Sequence, residues 1–351
     1  MCTNIGATGA SVLGGSKVYF GSVSDDPYDI RTRVIVEREE GGYAFVGTDL
    51  MPLEANGSAA DYRDSVSGAP TRGLNEKGLG FTWALAFERP ENTPPDGALK
   101  PHDLWRRVMR EGETVSDAVA ILEESPRDMG GLALIADRTG DLAQVEIGRR
   151  AMEVTDRRSR ASGGAMVNVN CWVSMQAADG VAAYGLDVPT TSNISRYQAA
   201  NGLLPAVDGR IDLGTMRDML CNHEHKEKFP GENTMLAGHG FSVCNHGTLR
   251  KPVFDPDEPC WGTVSAEIVD PVDGVFWYAY GWPCGEMPEY GDQLLQERSW
   301  GAFLGFPLHA LPAGTYTTLT GELTHLAAQY FGHLKHLGPS ARIEPLIEAA
   351  E

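Results

Sequence analysis

The stretch MCTNIGATGASVLGGSKVYFGSVSD, residues 1–25, carries the residues that most strongly indicate the fold of this chain. Cells usually remove an initiator methionine that precedes a small residue, so we expect the mature chain to begin at Cys2. Its thiol would then share one residue with the free α-amine of the chain. Free α-amines titrate near pH ~8 and cysteine thiols near ~8.5, so the amine is a well-placed base. One residue would supply both the nucleophile and the base that activates it.

The hydrophobic pattern beyond this stretch alternates blocks of strands with blocks of helices. Short β-branched or aromatic runs predict strands, and apolar residues at helical spacing predict helices. The predicted strands cover 18–20, 33–36, 43–46, 78–83, 131–136, 143–147, 164–170, 240–244, 262–268 and 274–280. The predicted helices cover 104–122 with a break near 112, 191–204, 212–221 and 320–350. This order favours antiparallel sheets with helices packed outside, a layered α/β sandwich, over a strictly alternating βαβ fold.

The composition of the chain excludes several classes of protein. Its 351 residues carry a formal net charge of −19, which disfavours nucleic acid and anionic membranes as partners. No apolar run is long enough to predict a transmembrane helix, and the first residues lack a secretory signal. The six cysteines are dispersed without a CxxC pair, which indicates free thiols and predicts a cytoplasmic protein. We predict one domain over residues 1–351, with a helical tail at about 320–351.

Several segments, in order along the chain, resemble one known family. They are MCT (1–3), VYFGSVSD (18–25), GLNEKGLG (73–80), VNVN (167–170), TSNISRY (191–197), GFSVCNH (240–246), TVS (263–265) and GWPC (281–284). Together they resemble the N-terminal nucleophile hydrolases of the penicillin acyltransferase type, peptidase family C45. They are also similar to the related choloylglycine hydrolases, which include bile salt hydrolase and penicillin V acylase. The resemblance implies a four-layer αββα sandwich.

The resemblance also implies catalytic roles for individual residues. Cys2 would attack the substrate carbonyl and form a thioester. Asp25 would accept hydrogen bonds from the nucleophile, with Asp26 as an alternative one position along. Arg196 would orient Cys2 and Asp25, or hold a substrate oxygen, through its planar set of donors.

An asparagine would donate to the oxyanion of the tetrahedral intermediate. The resemblance favours Asn168 for this role, and Asn170 competes because it lies two residues on, on the same face of a strand. The backbone N–H of Leu85 is expected to be a second donor. The residues predicted to bind substrate are Ser22, Trp83, Leu85, Asn170 and Asn245.

Two departures from the family pattern concern arginines. The arginine that choloylglycine hydrolases carry in the strand that follows the nucleophile is absent, and the nearby position is Ser22. The arginine of the Cys-Arg-His segment is replaced by Asn245. Both changes predict that an anionic substrate group is held differently here, or that the substrate itself differs.

The run Cys221-Asn222-His223-Glu224-His225 contains residue types that bind zinc. Its spacing matches no established zinc pattern, so we predict a polar turn there, with no bound metal and no cofactor. A metal hydrolase built on this run remains an alternative.

The sequence therefore predicts a cysteine-nucleophile amidohydrolase or acyltransferase. Its substrate would be a small non-peptide or modified-peptide amide, such as an N-acyl amine, an N-acyl amino acid or an antibiotic-type precursor. Whether the thioester meets water or an amine depends on shielding that the sequence does not show. A dipeptidase-type N-terminal cysteine hydrolase and a non-catalytic binding protein that retains the fold are the alternatives. The sequence also leaves a homo-oligomer open.

Overall fold

The protein is described from a computed structural model. The structure describes residues 2–27, 30–52, 68–86, 88–89, 92–175, 191–223, 242–246, 261–285, 298–338 and 343. Within these residues the chain forms two large antiparallel sheets with helices outside them. No helix among them is long and apolar enough to cross a membrane.

The first sheet contains the N-terminal strand. Its members are β1 Cys2–Thr8, β2 Val18–Pro27, β10 Gly164–Val169, β11 Trp261–Asp270, β12 Val275–Tyr280, β13 Phe303–Pro307 and β15 Lys335–Leu337. Their order across the sheet is β10-β1-β2-β11-β12-β13-β15, so β1 lies between two antiparallel partners.

The second sheet is formed mainly by the first half of the chain. Its members are β3 Ile30–Glu37, β4 Phe45–Pro52, β5 Gly68–Asn75, β6 Gly80–Leu85, β7 Gly131–Ala136, β8 Leu142–Ile147, β9 Met152–Arg158 and β14 Gly314–Thr315. Their order is β14-β3-β4-β5-β6-β7-β8-β9. Central strands such as β7 are buried at every position. Since both of their faces are covered, their sequences are continuous apolar runs rather than alternating patterns.

Two pairs of helices cover the outer faces of the sheets. The first pair is α1 Pro101–Glu111 and α2 Val115–Glu124, and the second is α3 Thr191–Val207 and α4 Leu213–Leu220. The predicted break near 112 is confirmed, because α1 ends there and Thr114 begins α2 with a reciprocal capping box to Asp117. Asp212 caps α4 by accepting from the backbone of Thr215.

Three apolar layers hold these elements together. The layer between the sheets includes Phe20 and Tyr278. A second layer joins the second sheet to α1 and α2, where the rings of Phe81 and Trp105 stack with centroids 4.0 Å apart. A third layer joins the first sheet to α3 and α4. The result is the predicted four-layer αββα sandwich.

Two local predictions differ from the structure. The strand predicted over 240–244 is wrong in its described part, since 242–246 forms no strand. This segment is instead fixed by isolated contacts, in which Cys244 N donates to Asn222 O and Thr263 N donates to Asn245 O. The predicted helical tail contains, in its described part, the short helix α5 His325–Gln329 and a 3-10 turn Phe331–His333, followed by β15. Most of 339–351 lies outside the described residues.

Candidate active site

Cys2 is the first residue of β1 and is buried between the two sheets, with 6% of its surface exposed. Side chains alternate along a strand, so Cys2, Asn4 and Gly6 share one face of β1. That face points at the second sheet, because a Cβ on Gly6 would lie 3.1 Å from Leu134. The thiol of Cys2 therefore faces the space between the sheets.

A buried arginine from the second sheet meets this thiol. Arg72 on β5 places its Nη2 3.0 Å from Cys2 Sγ and its Nε 3.3 Å from Ser22 Oγ. Burial alone would lower the pKa of Arg72, but the charges of Cys2 and Glu267 outweigh it, and the pKa lies above its usual value. A guanidinium this close stabilises a thiolate over a thiol. Sequence reasoning missed Arg72, although it directly precedes the GLNEKGLG segment.

The position near Ser22, which lacks the arginine expected from the resemblance, lies beside an arginine from another strand. Ser22 lies on β2 and touches the guanidinium of Arg72 through its hydroxyl. A cationic group from the second sheet therefore lies beside both Ser22 and the thiol of Cys2.

Glu267 is a second residue that the sequence analysis missed. It is fully buried on β11, with Oε2 3.5 Å from Arg72 Nε and Oε1 accepting from Ser265 at 2.6 Å. Burial raises the pKa of this carboxyl to about 7, against the opposing charge of Arg72. Its only sequence signal is a carboxylate between Ala266 and Ile268, inside the strand predicted over 262–268.

Arg196 donates hydrogen bonds to the first residues of β1. Its Nη1 donates to the carbonyl oxygen of Cys2 and to Thr3 Oγ1, the latter at 2.9 Å. Its Nη2 donates to Asn193 Oδ1 at 2.6 Å and Asn170 Oδ1 at 3.2 Å. Burial lowers the pKa of Arg196, and the charges of Asp25 and Cys2 oppose this.

The two candidate asparagines of the oxyanion hole occupy different positions. Asn168 is paired with Asn4 across the β1–β10 ladder, and Asn4 Nδ2 donates to its Oδ1 at 2.6 Å. Asn170 lies beside Cys2 itself, because its Oδ1 accepts from the backbone N–H of Cys2. The structure therefore brings Asn170 to Cys2 and places Asn168 two residue pairs further along the ladder.

The contact at Leu85 involves its carbonyl, which accepts from Asn170 Nδ2 at 2.7 Å. The side chains of Trp83 and Leu85 pack in the layer beneath α1 and α2, away from the space between the sheets. Neither side chain is brought to the thiol, so the prediction that Trp83 contacts substrate finds no support in its position.

The two adjacent aspartates point to opposite sides of β2. Asp25 is fully buried and accepts from Thr263 Oγ1 at 2.7 Å. Burial raises the pKa of Asp25, while the charge of Arg196 opposes the rise. Asp26 contributes instead to the charge around Arg72 and Glu267.

Asn245 supports Asp25 indirectly. Its backbone N–H donates to Thr263 Oγ1 at 2.8 Å, and its carbonyl accepts from Thr263 N at 2.7 Å. These backbone contacts of Asn245 position Thr263, and through it Asp25, and the substrate-binding role of Asn245 stays a prediction.

The predicted polar turn at 221–225 lies only partly within the described residues. Of its candidate metal ligands, His223 comes close to Cys244, His246 and Cys284, and Cys221 is not part of that group. Residues 224 and 225 are outside the described part of the chain.

A cavity of about 480 Å³ lies between α3 and α4. None of its lining residues contacts Cys2, so this cavity does not define the site of the thiol. It is lined by Leu203, Val207, Arg210, Thr215, Asp218, Met219 and Asn222.

Two antiparallel sheets packed face to face between outer helices form the αββα sandwich of the N-terminal nucleophile hydrolases. A family model described as acyl-coenzyme A:6-aminopenicillanic acid acyl-transferase matches residues 27–238, more than half of the chain. The chain belongs to this family.

Solved structures are similar to this chain. A conjugated bile acid hydrolase from Clostridium perfringens, solved as its C2A mutant, is 13% identical, with a TM-score of 0.50 over 91% of this chain and 97% of that one. Penicillin V acylase from Agrobacterium tumefaciens is 16% identical, with a TM-score of 0.40 over 80% and 83% of the two chains. An N-acylethanolamine-hydrolyzing acid amidase orthologue from Caenorhabditis elegans is 12% identical, with a TM-score of 0.40 over 77% and 93%. No curated protein sequence matches this chain.

Proposed function

We propose that this protein is an N-terminal cysteine amidohydrolase or acyltransferase, in which Cys2 attacks the carbonyl of a small amide after Met1 has been removed. The observation that carries the proposal is the buried guanidinium of Arg72, 3.0 Å from Cys2 Sγ. A cation beside a thiol that faces an enclosed space favours the nucleophilic thiolate. Membership of an acyltransferase family agrees with this chemistry.

The reaction begins when the thiol proton passes to the α-amine of Cys2. The sulfur forms a bond to the amide carbon, and the carbonyl oxygen becomes an oxyanion. The ammonium returns its proton to the leaving nitrogen as the C–N bond breaks, which leaves a thioester on Cys2. Water or a second amine then attacks the thioester, and the acyl group leaves as an acid or as a new amide.

The oxyanion donor we assign is Asn170. Its Oδ1 accepts from the backbone N–H of Cys2 and lies 3.2 Å from Arg196 Nη2, which fixes the orientation of the side chain. Its Nδ2 donates one N–H to Leu85 O at 2.7 Å, which leaves the second N–H for the oxyanion. A preorganised donor of this kind stabilises the tetrahedral intermediate without reorganising during the reaction. Asn168 is two residues away along the strand and is held by Asn4.

Asp25 and Asp26 have different roles in the proposed site. Asp26, on the side of Arg72, contributes to the charge around the thiol, and Asp25 fixes the strand next to Arg196. Arg196 in turn holds the carbonyl of Cys2, so the rotation of the nucleophile is restricted from both sides of β2.

The substrate class is a small non-peptide or modified-peptide amide, such as an N-acyl amine or N-acyl amino acid. Arg72 is engaged by Cys2 and Glu267, so we do not assign it a second role in binding an anionic group of the substrate. We place the reaction in the cytoplasm, because none of the five described cysteines forms a disulfide.

The test is an intact-mass measurement before and after exposure to an activated acyl ester. We expect a chain that lacks Met1 and gains one acyl group, and no gain in Cys2→Ala. Cys171→Ala is the matched control, because burial raises the pKa of the Cys171 thiol to about 12 and keeps it protonated. A chain that retains Met1, or that acylates equally in Cys2→Ala, would contradict the proposal.

A further inference from the structure

Four side chains with soft or borderline ligand atoms converge away from the thiol of Cys2. They belong to His223, Cys244, His246 and Cys284, and their ligand atoms all lie within 4.8 Å of one another. His246 Nε2 is 3.5 Å from Cys244 Sγ and 3.1 Å from Cys284 Sγ. The two sulfur atoms are 3.7 Å apart.

The sulfur–sulfur distance and the two distances from His246 Nε2 are close to the edges of a metal-centred tetrahedron, and the remaining ligand atom lies within 4.8 Å of the others. A tetrahedral zinc ion with Zn–S bonds of ~2.3 Å places its two sulfur ligands ~3.8 Å apart. A disulfide would need the sulfurs at ~2.05 Å. It would also leave the convergence of two imidazoles on the same point unexplained.

The four residues come from three separate segments of the chain. His223 follows α4, Cys244 and His246 lie in the irregular segment 242–246, and Cys284 follows β12. The ring of Trp282 is fully buried and stacks on His246 with centroids 4.5 Å apart. The environment therefore fixes the orientation of one imidazole and excludes water from that side.

We propose that His223, Cys244, His246 and Cys284 bind one Zn²⁺ ion as a structural site. Two thiolates and two imidazoles in a tetrahedral arrangement are the donor set that favours zinc. Four protein ligands leave no open coordination position, so the ion would fix the three segments rather than activate water. Zinc binding would release the protons of both thiols.

The site would also support the region around Asp25. Asn245 lies between the ligands Cys244 and His246. Its backbone N–H donates to Thr263 Oγ1, and its carbonyl accepts from Thr263 N. Thr263 Oγ1 in turn donates to Asp25. An ion that fixes Cys244 and His246 therefore also fixes Asn245, which positions Asp25 through Thr263. The metal site itself does not depend on the proposed reaction of Cys2.

The experiment is elemental analysis and native mass spectrometry of the full chain, purified without chelator and with thiols kept reduced. We expect one zinc per chain, which is lost when the protein is denatured. Exchange of zinc for Co²⁺ should give the visible absorption of a tetrahedral cobalt–thiolate centre. Cys244→Ser and Cys284→Ser should lose the metal, and Cys171→Ser, which removes a buried thiol outside the group, should keep it.

The wild-type measurement decides the proposal even if a ligand variant fails to fold. Wild-type protein that contains no metal and takes up neither Zn²⁺ nor Co²⁺ would overturn it. So would a mass lower by two hydrogens, which indicates a Cys244–Cys284 disulfide, or one zinc retained in Cys244→Ser. Cys2→Ala should bind zinc normally, so failure of the metal site and failure of the acyl-transfer proposal are distinguishable.

Discussion

Cys2 differs from Cys244 and Cys284 in the side chain that faces its thiol. The thiol of Cys2 faces the guanidinium of Arg72, which can stabilise a thiolate but cannot share a metal with it. Cys244 and Cys284 face the imidazole of His246, which is itself a metal ligand. Burial alone does not distinguish them, since Cys2 and Cys244 are both buried. The chemistry of each thiol is decided by the residue that the fold places against it.

The largest effect should come from removing the cation beside Cys2. Arg72→Met keeps much of the side-chain volume but removes the charge, so the rate of acylation of Cys2 should fall by roughly 1,000-fold. The metal content should not change. Arg33→Met is the control, because Arg33 is a partly exposed arginine of the same sheet that pairs with Asp49. Equal acylation rates in wild type and Arg72→Met would show that Arg72 does not activate the thiol of Cys2.

The choice between the two asparagines gives the next largest effect. Asn170→Ala should lower kcat by roughly 100- to 1,000-fold, because an oxyanion donor is worth about 2.7–4 kcal/mol. Asn168→Ala should change stability more than kcat, since it leaves Asn4 without its hydrogen-bond acceptor. Steady-state kinetics and urea denaturation of both variants measure this difference. The reverse ranking would return the oxyanion role to Asn168.

The pH dependence of the free energy of unfolding should reveal the ionisation of Glu267. Its folded pKa of about 7 lies above the ordinary value of 4.5, so the protonated form is favoured by folding. The stability that it contributes is fully present below about pH 4.5 and is lost as the pH rises through about 7.

Urea denaturation of wild type and Glu267→Gln over this range is the measurement. The free energy of unfolding of wild type should fall relative to the variant by a few kcal/mol as the pH rises, since glutamine stays neutral. A difference that does not change with pH would show that Glu267 is ionised throughout.

The smallest effect should come from Thr263, which contacts Asn245 beside the proposed zinc ligands and Asp25 near Arg196. Thr263→Val removes the hydroxyl that donates to Asp25, which should cost about 1 kcal/mol of stability and raise the pKa of Asp25 further. Acylation should slow by less than in Arg72→Met, and zinc should be retained. Thr82→Val is the matched control, because this buried hydroxyl has no hydrogen-bond partner among the described residues. Loss of zinc in Thr263→Val but not in Thr82→Val would show that the zinc ligands depend on the contacts of Asp25 more strongly than we propose.

Local sequence patterns were sufficient for most of the elements. The apolar run at 131–136 and the break at Gly112 are properties of a few neighbouring residues, and both were predicted correctly. The segment 240–244 was predicted as a strand, and the structure describes its residues from 242 onward. It is not one, because its contacts go to Asn222 and Thr263 from other parts of the chain.

The sequence by itself determined the αββα fold and the family, because ordered motifs and short-range periodicity suffice for these. The strand that begins at Cys2 was not among the predicted strands. Only the tertiary structure brought Arg72 to Cys2 and Glu267 to Arg72, and gathered His223, Cys244, His246 and Cys284. Their separations along the chain carry no periodic signal. They meet because the packing of two sheets, and of the segments that follow α4 and β12, brings distant side chains to common points.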